Sequence, residues 1–227
     1  MTRKVVITGA GRGLGAILAD LATTAGDDVQ AAMRTPQKAS DLPLDMDSEE
    51  SIEAFVATLS ARLDQVDVLI NNAGVDARAF GAADDRRGPF ELSGDHVLAT
   101  MRTNVVGPML LTRALLPLLR ASDGAKIINV SSQLGSMVVG RTIGRDVGYN
   151  MSKAALNSLT VKTAELLGGD GITTIALHPG WLKTDMGGDR ATTEVTDAAQ
   201  KIWQLIDGLG HDQNGEFLTF EGEQHPW

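Results

Sequence analysis

The sequence predicts an α/β fold in which a doubly wound parallel sheet carries helices on both faces. Three observations lead there. Short apolar runs rich in Val and Ile alternate with stretches of helical periodicity along the chain, as repeated β-α units do. The first such run passes through a glycine-rich turn directly into a helical stretch, an arrangement that lets backbone close on an anionic ligand. Residues able to do chemistry recur just after the runs read as strands, and open parallel sheets bind ligands along that carboxyl edge.

Residues 4–8 form the first strand and residues 14–25 the first helix, separated by T-G-A-G-R-G-L-G. Gly9, Gly13 and Gly15 are spaced G-x-x-x-G-x-G, with Leu14 at the last glycine position of the common dinucleotide fingerprint when counting starts at Gly9. Glycines let this backbone turn tightly and approach a pyrophosphate at the helix N-terminus. Gly9, Arg12, Gly13, Leu14 and Gly15 are therefore candidate cofactor contacts; a loop cluster of glycines without a ligand is the alternative.

The second strand, residues 28–33, ends at Arg34. An acid here would bond the ribose 2′-hydroxyl of NAD, whereas an arginine suits a 2′-phosphate. No acid follows the strand, and Asp27 and Asp28 lie at its opposite end. NADP(H) is thus expected in preference to NAD(H), with Arg12 as a second cation. An ordinary solvated cation is the alternative for Arg34.

Residues 41–46 read as a short third strand whose end turns Asp45 and Met46 toward the cofactor. Asp47 or Ser48 caps a helix over residues 49–63. Residues 66–70 are apolar apart from Asp67, as suits a strand covered on both faces, and run into Asn71-Asn72-Ala73-Gly74. Asn72, Ala73 and Gly74 could support a ligand or merely close a turn. Residues 75–94 lose all periodicity and read as a long loop, either a lid or partner surface or a solvated excursion.

Residues 95–120 form an amphipathic helix interrupted at Gly107-Pro108. Pro108 has no N–H for the carbonyl of Asn104, which becomes free to hold a water; a simple packing kink is the alternative. The fifth strand, residues 126–130, ends at Ser131-Ser132, and a helix from about residue 148 to 167 follows. The glycines of residues 169–171 break it. The sixth strand, residues 172–177, leads into H-P-G-W-L-K-T-D-M, placing Pro179, Gly180, Leu182 and Thr184 at its end. A helix over residues 196–209 and a strand over residues 216–220 complete the pattern.

Tyr149 and Lys153 are four residues apart at the start of a helix, so they share one face a turn apart. A neighbouring ammonium stabilises a phenolate and should draw its pKa below that of free tyrosine, toward the working range of a general acid or base. Tyr149 is the only tyrosine in 227 residues. Phenol chemistry, if present, falls to it.

Composition narrows the classes. Cys is absent, which excludes a thiolate nucleophile and a disulfide framework and suits a reducing, cytoplasmic setting. The four histidines are scattered without ligand spacing, so no metal is expected. A net charge of -9 argues against nucleic acid, and no apolar run reaches the ~18 residues of a membrane span.

The ordered set T-G-A-G-R-G-L-G, N-N-A-G, the Asn104 helix, S-S-x-L-G, Y-N-M-S-K and P-G-W-L-K-T resembles the short-chain dehydrogenase/reductase family over nearly the whole chain. The segments H-P-G-W-L-K-T-D-M-G-G and G-E-F-L-T-F-E-G-E-Q-H-P-W are most similar to the C-factor-like carbonyl reductases. The resemblance implies a single Rossmann-type domain over residues 1–227 and hydride transfer between NADP(H) and a small carbonyl or alcohol substrate. It implies that Tyr149 exchanges the proton, Ser132 bonds the substrate oxygen, Lys153 binds the nicotinamide ribose and the Asn104 carbonyl holds a relay water. Ser132 is preferred to Ser131 by its place three residues before Gly135, with Ser136 as a rival.

The interval of 17 residues from Ser132 to Tyr149 exceeds that of many family members, so an additional loop around residues 137–147 should shape the substrate mouth. Only residues 187–195 separate Met186 from the next helix, which leaves the pocket open, with Gln133, Leu134 and Trp181 as its expected lining; core packing is the alternative for Trp181. The family usually associates through the helices of residues 95–120 and 149–167, so a homodimer or homotetramer is expected. A dinucleotide-binding regulator or signalling protein without turnover is the alternative function.

Overall fold

The computed structural model describes residues 2–140 and 146–227. Seven parallel strands lie in the order β3-β2-β1-β4-β5-β6-β7. They are β1 Lys4–Thr8, β2 Asp28–Met33, β3 Leu42–Pro43, β4 Val68–Asn71, β5 Lys126–Val130, β6 Thr173–His178 and β7 Phe217–Thr219. The helices are α1 Gly13–Thr24, α2 Glu49–Ser60, α3 Gly94–Met101, α4 Gly107–Arg120, α5 Val147–Leu167 and α6 Val195–Gly208. The chain builds outward from β1 to β3, then returns to place β4 on the other side of β1. Strand order reverses there, and the carboxyl ends of β1 and β4 diverge into the crevice where such sheets take ligands.

Successive strand residues face opposite sides of the sheet. Ile7, Ile70, Ile128 and Ile175 pack with Leu18 of α1 and Ile202 of α6. Val6, Leu69 and Ile127 pack with Phe55 of α2 and with Leu111 and Leu115 of α4. All of these side chains are buried, each worth about 1.5–3 kcal/mol of transfer free energy. Burial on both faces explains why these strands read as mostly apolar rather than alternating.

Two elements differ from expectation, and one of two candidate caps is selected. The third strand shrinks to Leu42–Pro43, with the Leu44 N–H just beyond it still donating to the Met33 carbonyl at 2.9 Å. Ser48, not Asp47, caps α2, its hydroxyl accepting from the Ser51 N–H at 3.1 Å. The helix expected over residues 95–120 is α3 and α4 joined by a π turn at Arg102–Val106, in which the Gly107 N–H bonds the Arg102 carbonyl five residues back. Such turns recur at functional sites, and this one carries Asn104.

Residues 75–94 contain a single 3₁₀ turn, Ala77–Phe80, capped by Asp76. Of the expected loop over residues 137–147, residues 141–145 lie outside the described residues. The part before them turns on Ser136, whose hydroxyl accepts from the Val138 and Val139 N–H groups.

Candidate active site

A cavity of ≈ 740 Å³ runs along the carboxyl edge between the β1–α1 turn and the start of α5. Gly9 forms its floor at φ 67, a conformation that favours glycine; a Cβ there would lie 2.9 Å from the Ala73 Cα. Gly13, at φ 56, faces Thr184. The N-terminus of α1 has no side-chain cap and no acid in its first turn, so its free N–H groups and positive dipole end are available to an anion. Gly15 serves packing instead, since a Cβ would lie 2.5 Å from both Asn72 Nδ2 and the Gly9 carbonyl.

At the outer end, Arg34 is exposed and lies 3.4 Å from both Asp45 and Asp47. Asp47 is fixed by the Thr103 hydroxyl at 2.5 Å. Arg12 pairs with Asp185 at 2.8 Å. Both candidate cations thus line the cavity while holding carboxylates. Asp45 itself accepts from the Asp47 N–H and lies outside the lining; Met46 lines it in Asp45's stead.

Two side chains knit the middle. Asn72 donates to the Thr8 carbonyl at 2.8 Å, while the Thr8 hydroxyl accepts from the Asn72 and Ala73 N–H groups at 3.0 Å. N-N-A-G therefore braces the glycine turn as well as lining the cavity. Asn104 is buried; its amide brackets Val75, accepting from the N–H at 2.9 Å and donating to the carbonyl at 2.8 Å. It also donates to Ser152 Oγ, which donates in turn to the Tyr149 carbonyl.

At the inner end, the Lys153 ammonium is buried, donates to the Val130 carbonyl at 2.7 Å and lies 5.5 Å from the Tyr149 ring centroid. Tyr149 is half-buried at the cavity wall, with Ser132 near enough to its hydroxyl to favour the phenolate. Ser131 lines the cavity but its hydroxyl is taken up by Asn157 Oδ1 at 2.5 Å; Ser132, off the lining, is the serine that acts on the phenol.

The expected lowering of the phenol pKa is not met. Burial pushes it up to about 12 against the Ser132 hydrogen bond, with Asp76 and Asp146 adding to the rise; the part of the ring that faces the cavity moderates it. Burial also lowers Lys153 to about 8. At neutral pH the phenol keeps its proton, as a donor must, beside a lysine that is still mostly charged.

Gly9, Arg12, Gly13, Leu14, Arg34, Met46, Asn72, Ala73, Gly74, Tyr149, Lys153, Pro179, Leu182 and Thr184 all line the cavity. Gly180, at φ 88, lies behind the lining, packed against Phe220 and Thr193. Gln133, Leu134 and Trp181 lie off it too. Gln133 donates its N–H to His178 Nδ1, Leu134 donates its own to Ser132 Oγ, and exposed Trp181 turns its indole N–H onto the Gly187 carbonyl. Trp181 is therefore neither core nor cavity wall.

Thr35 and Gln37 close behind Arg34, and Val75 directly after Gly74, also line the cavity; their sequence proximity to singled-out residues was the available signal. Among the described residues no group of three or more His, Asp or Glu could hold a metal ion, and no helix is long and apolar enough to cross a membrane.

A family model described as short chain dehydrogenase matches residues 3–195. The chain is 37% identical to C-signal of Myxococcus xanthus over 162 residues, 71% of this chain and 93% of that protein. It is 30% identical to the short-chain dehydrogenase srdF of Neurospora crassa over 254 aligned residues, covering 98% and 97% of the two chains. Its fold is similar to that of NADPH-bound carbonyl reductase from chicken fatty liver, with a TM-score of 0.89 at 29% identity over 100% of this chain and 99% of that one. The carbonyl reductase Sniffer of D. melanogaster gives 0.84 at 30% identity, with both chains fully covered.

Proposed function

This chain belongs to the short-chain dehydrogenase/reductase family of oxidoreductases, and from that premise we propose that it is an NADP(H)-dependent reductase of small carbonyl compounds with Tyr149 as the proton donor. The observation that carries this reading is the pairing of Tyr149 and Lys153 at the inner end of the cavity, with Ser132 nearby. The cavity's size, the uncapped α1 N-terminus and the left-handed Gly9 fit a dinucleotide. A bound nicotinamide supplies the hydride in reduction and accepts it in oxidation.

The protein's own residues handle the proton. Ser132 and Tyr149 hold the substrate carbonyl oxygen between two hydroxyls, and the Tyr149 proton passes to that oxygen as the carbonyl becomes an alcohol. The phenolate left behind faces the Lys153 ammonium. With the ammonium 5.5 Å from the ring centre, the opposite charges attract and the phenolate is favoured over a site without the lysine. Lys153 also reaches the ribose, and a water on the Asn104 carbonyl returns a proton to the phenol. Arg34 and Arg12 at the outer end support recognition of a 2′-phosphate.

Exposed apolar side chains on α3, α4 and α5, among them Leu98, Met109, Met151 and Leu166, support a homodimer or homotetramer. The single sheet drawn from both ends of the chain supports reading residues 1–227 as one domain. Similarity to C-signal favours a second reading, a dinucleotide-binding signalling protein without turnover. A screen of aldehydes and ketones followed by loss of NADPH absorbance separates the two. Turnover of at least one compound is expected, and none across the panel would favour the second reading.

A further inference from the structure

Residues 75–94 are tied to the first turn of α5 from both ends. From the near end, the Ala77 N–H donates to Asp146 Oδ2 at 3.0 Å. From the far end, Arg87 donates to the same oxygen at 3.3 Å, and its carbonyl accepts the Val147 N–H at 2.9 Å. Asp146 Oδ1 caps the helix by accepting the Tyr149 N–H at 2.9 Å. The turn is also held by packing, since a Cβ on Gly148 would lie 3.1 Å from Leu92. Arg87 further lies 3.7 Å from Asp76, which Arg78 binds at 2.6 Å.

Asp146 and Asp76 are buried. Burying ion pairs seldom adds stability over apolar packing, whereas removing one partner strands the other's charge. Such a cluster matters more for where it fixes the chain than for what it adds to stability. Here it fixes the turn that bears Tyr149.

We propose that Asp146 and Arg87 are positioning residues for the Tyr149 phenol, their ion pair pinning the first turn of α5 to residues 75–94 and so setting the phenol against the cavity. This rests on Tyr149 as the proton donor. It makes residues 75–94 a brace for the catalytic helix. The charged groups facing the phenol are Lys153 on its own helix, Asp146 at the cap and Asp76 from the segment after β4, with Arg78 and Arg87 paired to the two carboxylates.

Asp146→Asn keeps an oxygen able to cap the helix, removes the charge and puts a donor where Oδ2 accepts from Ala77 and Arg87. On a carbonyl compound that the parent reduces, its kcat should fall about 10-fold or more, within the range that misplacing a reacting group by about 1 Å can cost. NADPH affinity should stay within about 2-fold, the readout that the fold is intact. In alcohol oxidation its alkaline limb should move to lower pH, because one carboxylate opposing the phenolate is gone. Arg87→Gln should lose kcat to a similar degree, and the double variant should lose no more than either single one.

Parental kcat and an unmoved limb in Asp146→Asn would overturn the proposal. So would a parental Arg87→Gln beside a defective Asp146→Asn, which would reduce Asp146 to a helix cap. Tyr149→Phe in the same assay separates the premises. If it is active the donor reading itself fails, whereas an inactive Tyr149→Phe beside a parental Asp146→Asn sinks the brace alone.

Discussion

The Lys153 ammonium lies 5.5 Å from the centre of the Tyr149 ring, and both groups are shifted by burial toward their neutral forms, the phenol to about 12 and the lysine to about 8. Carbonyl reduction should therefore be level below pH 8, where the phenol carries its proton and the lysine its charge. It should decline as pH rises through about 8, when the ammonium that receives the phenolate is lost. A pH profile of kcat under saturating NADPH checks this; a rate that climbs from pH 7 to 9 would contradict it.

Lys153→Met removes the charge beside the phenol and the ribose contact together. Turnover should fall by ~100-fold, the scale of a positioned acid–base group, and NADPH should bind more weakly. Fluorescence titration beside the kinetic assay reads both, and a variant that loses affinity while keeping kcat would separate the lysine from the proton step.

Arg34 stands at the outer end of the cavity with Asp45 and Asp47 each 3.4 Å away. NADPH should bind more tightly than NADH, and Arg34→Ala should narrow the gap; one charged hydrogen bond is worth about 1.5–3 kcal/mol. The two aspartates oppose a phosphate at the same place, so the gap should be smaller than an unpaired arginine would give. Calorimetric titration of both cofactors measures it, and equal affinities in the parent would refute the assignment.

Much of this architecture is legible in the sequence because its cause is local. Ile7, Ile70 and Ile128 read as covered strands since each sits in a short apolar run. The spacing of Tyr149 and Lys153 placed them on one helix face. The brace of Asp146, Arg87 and Asp76 was not legible, because its members are up to 70 residues apart, two of them in a stretch with no period. The phenol shift was missed for a related reason. Adjacency to Lys153 is a matter of spacing, but the burial that outweighs it depends on how β5, α5 and residues 75–94 close around the ring. Trp181 looked like pocket or core until its loop turned the indole N–H onto Gly187.

His178 is buried at the end of β6, its ring 5.4 Å from that of His225, and burial together with that neighbour lowers it to about 4. The unfolded chain, with an ordinary value near 6.5, takes up this proton first as pH falls. The stability His178 contributes is therefore full above about pH 6.5 and is lost as pH falls toward 4, about 2 kcal/mol of it between pH 7 and 5. Urea unfolding at those two pH values should show His178→Asn losing less stability on acidification than the parent. Equal losses would show that the histidine stays charged in the fold.

The most direct test of the proton-donor assignment is Tyr149→Phe on a carbonyl compound the parent reduces. The change deletes one oxygen and leaves the ring, α5 and the cavity floor in place. With no second tyrosine in the chain to substitute, kcat should fall by ~100-fold or more while NADPH affinity stays near that of the parent. Near-parental turnover by Tyr149→Phe would contradict the mechanism outright.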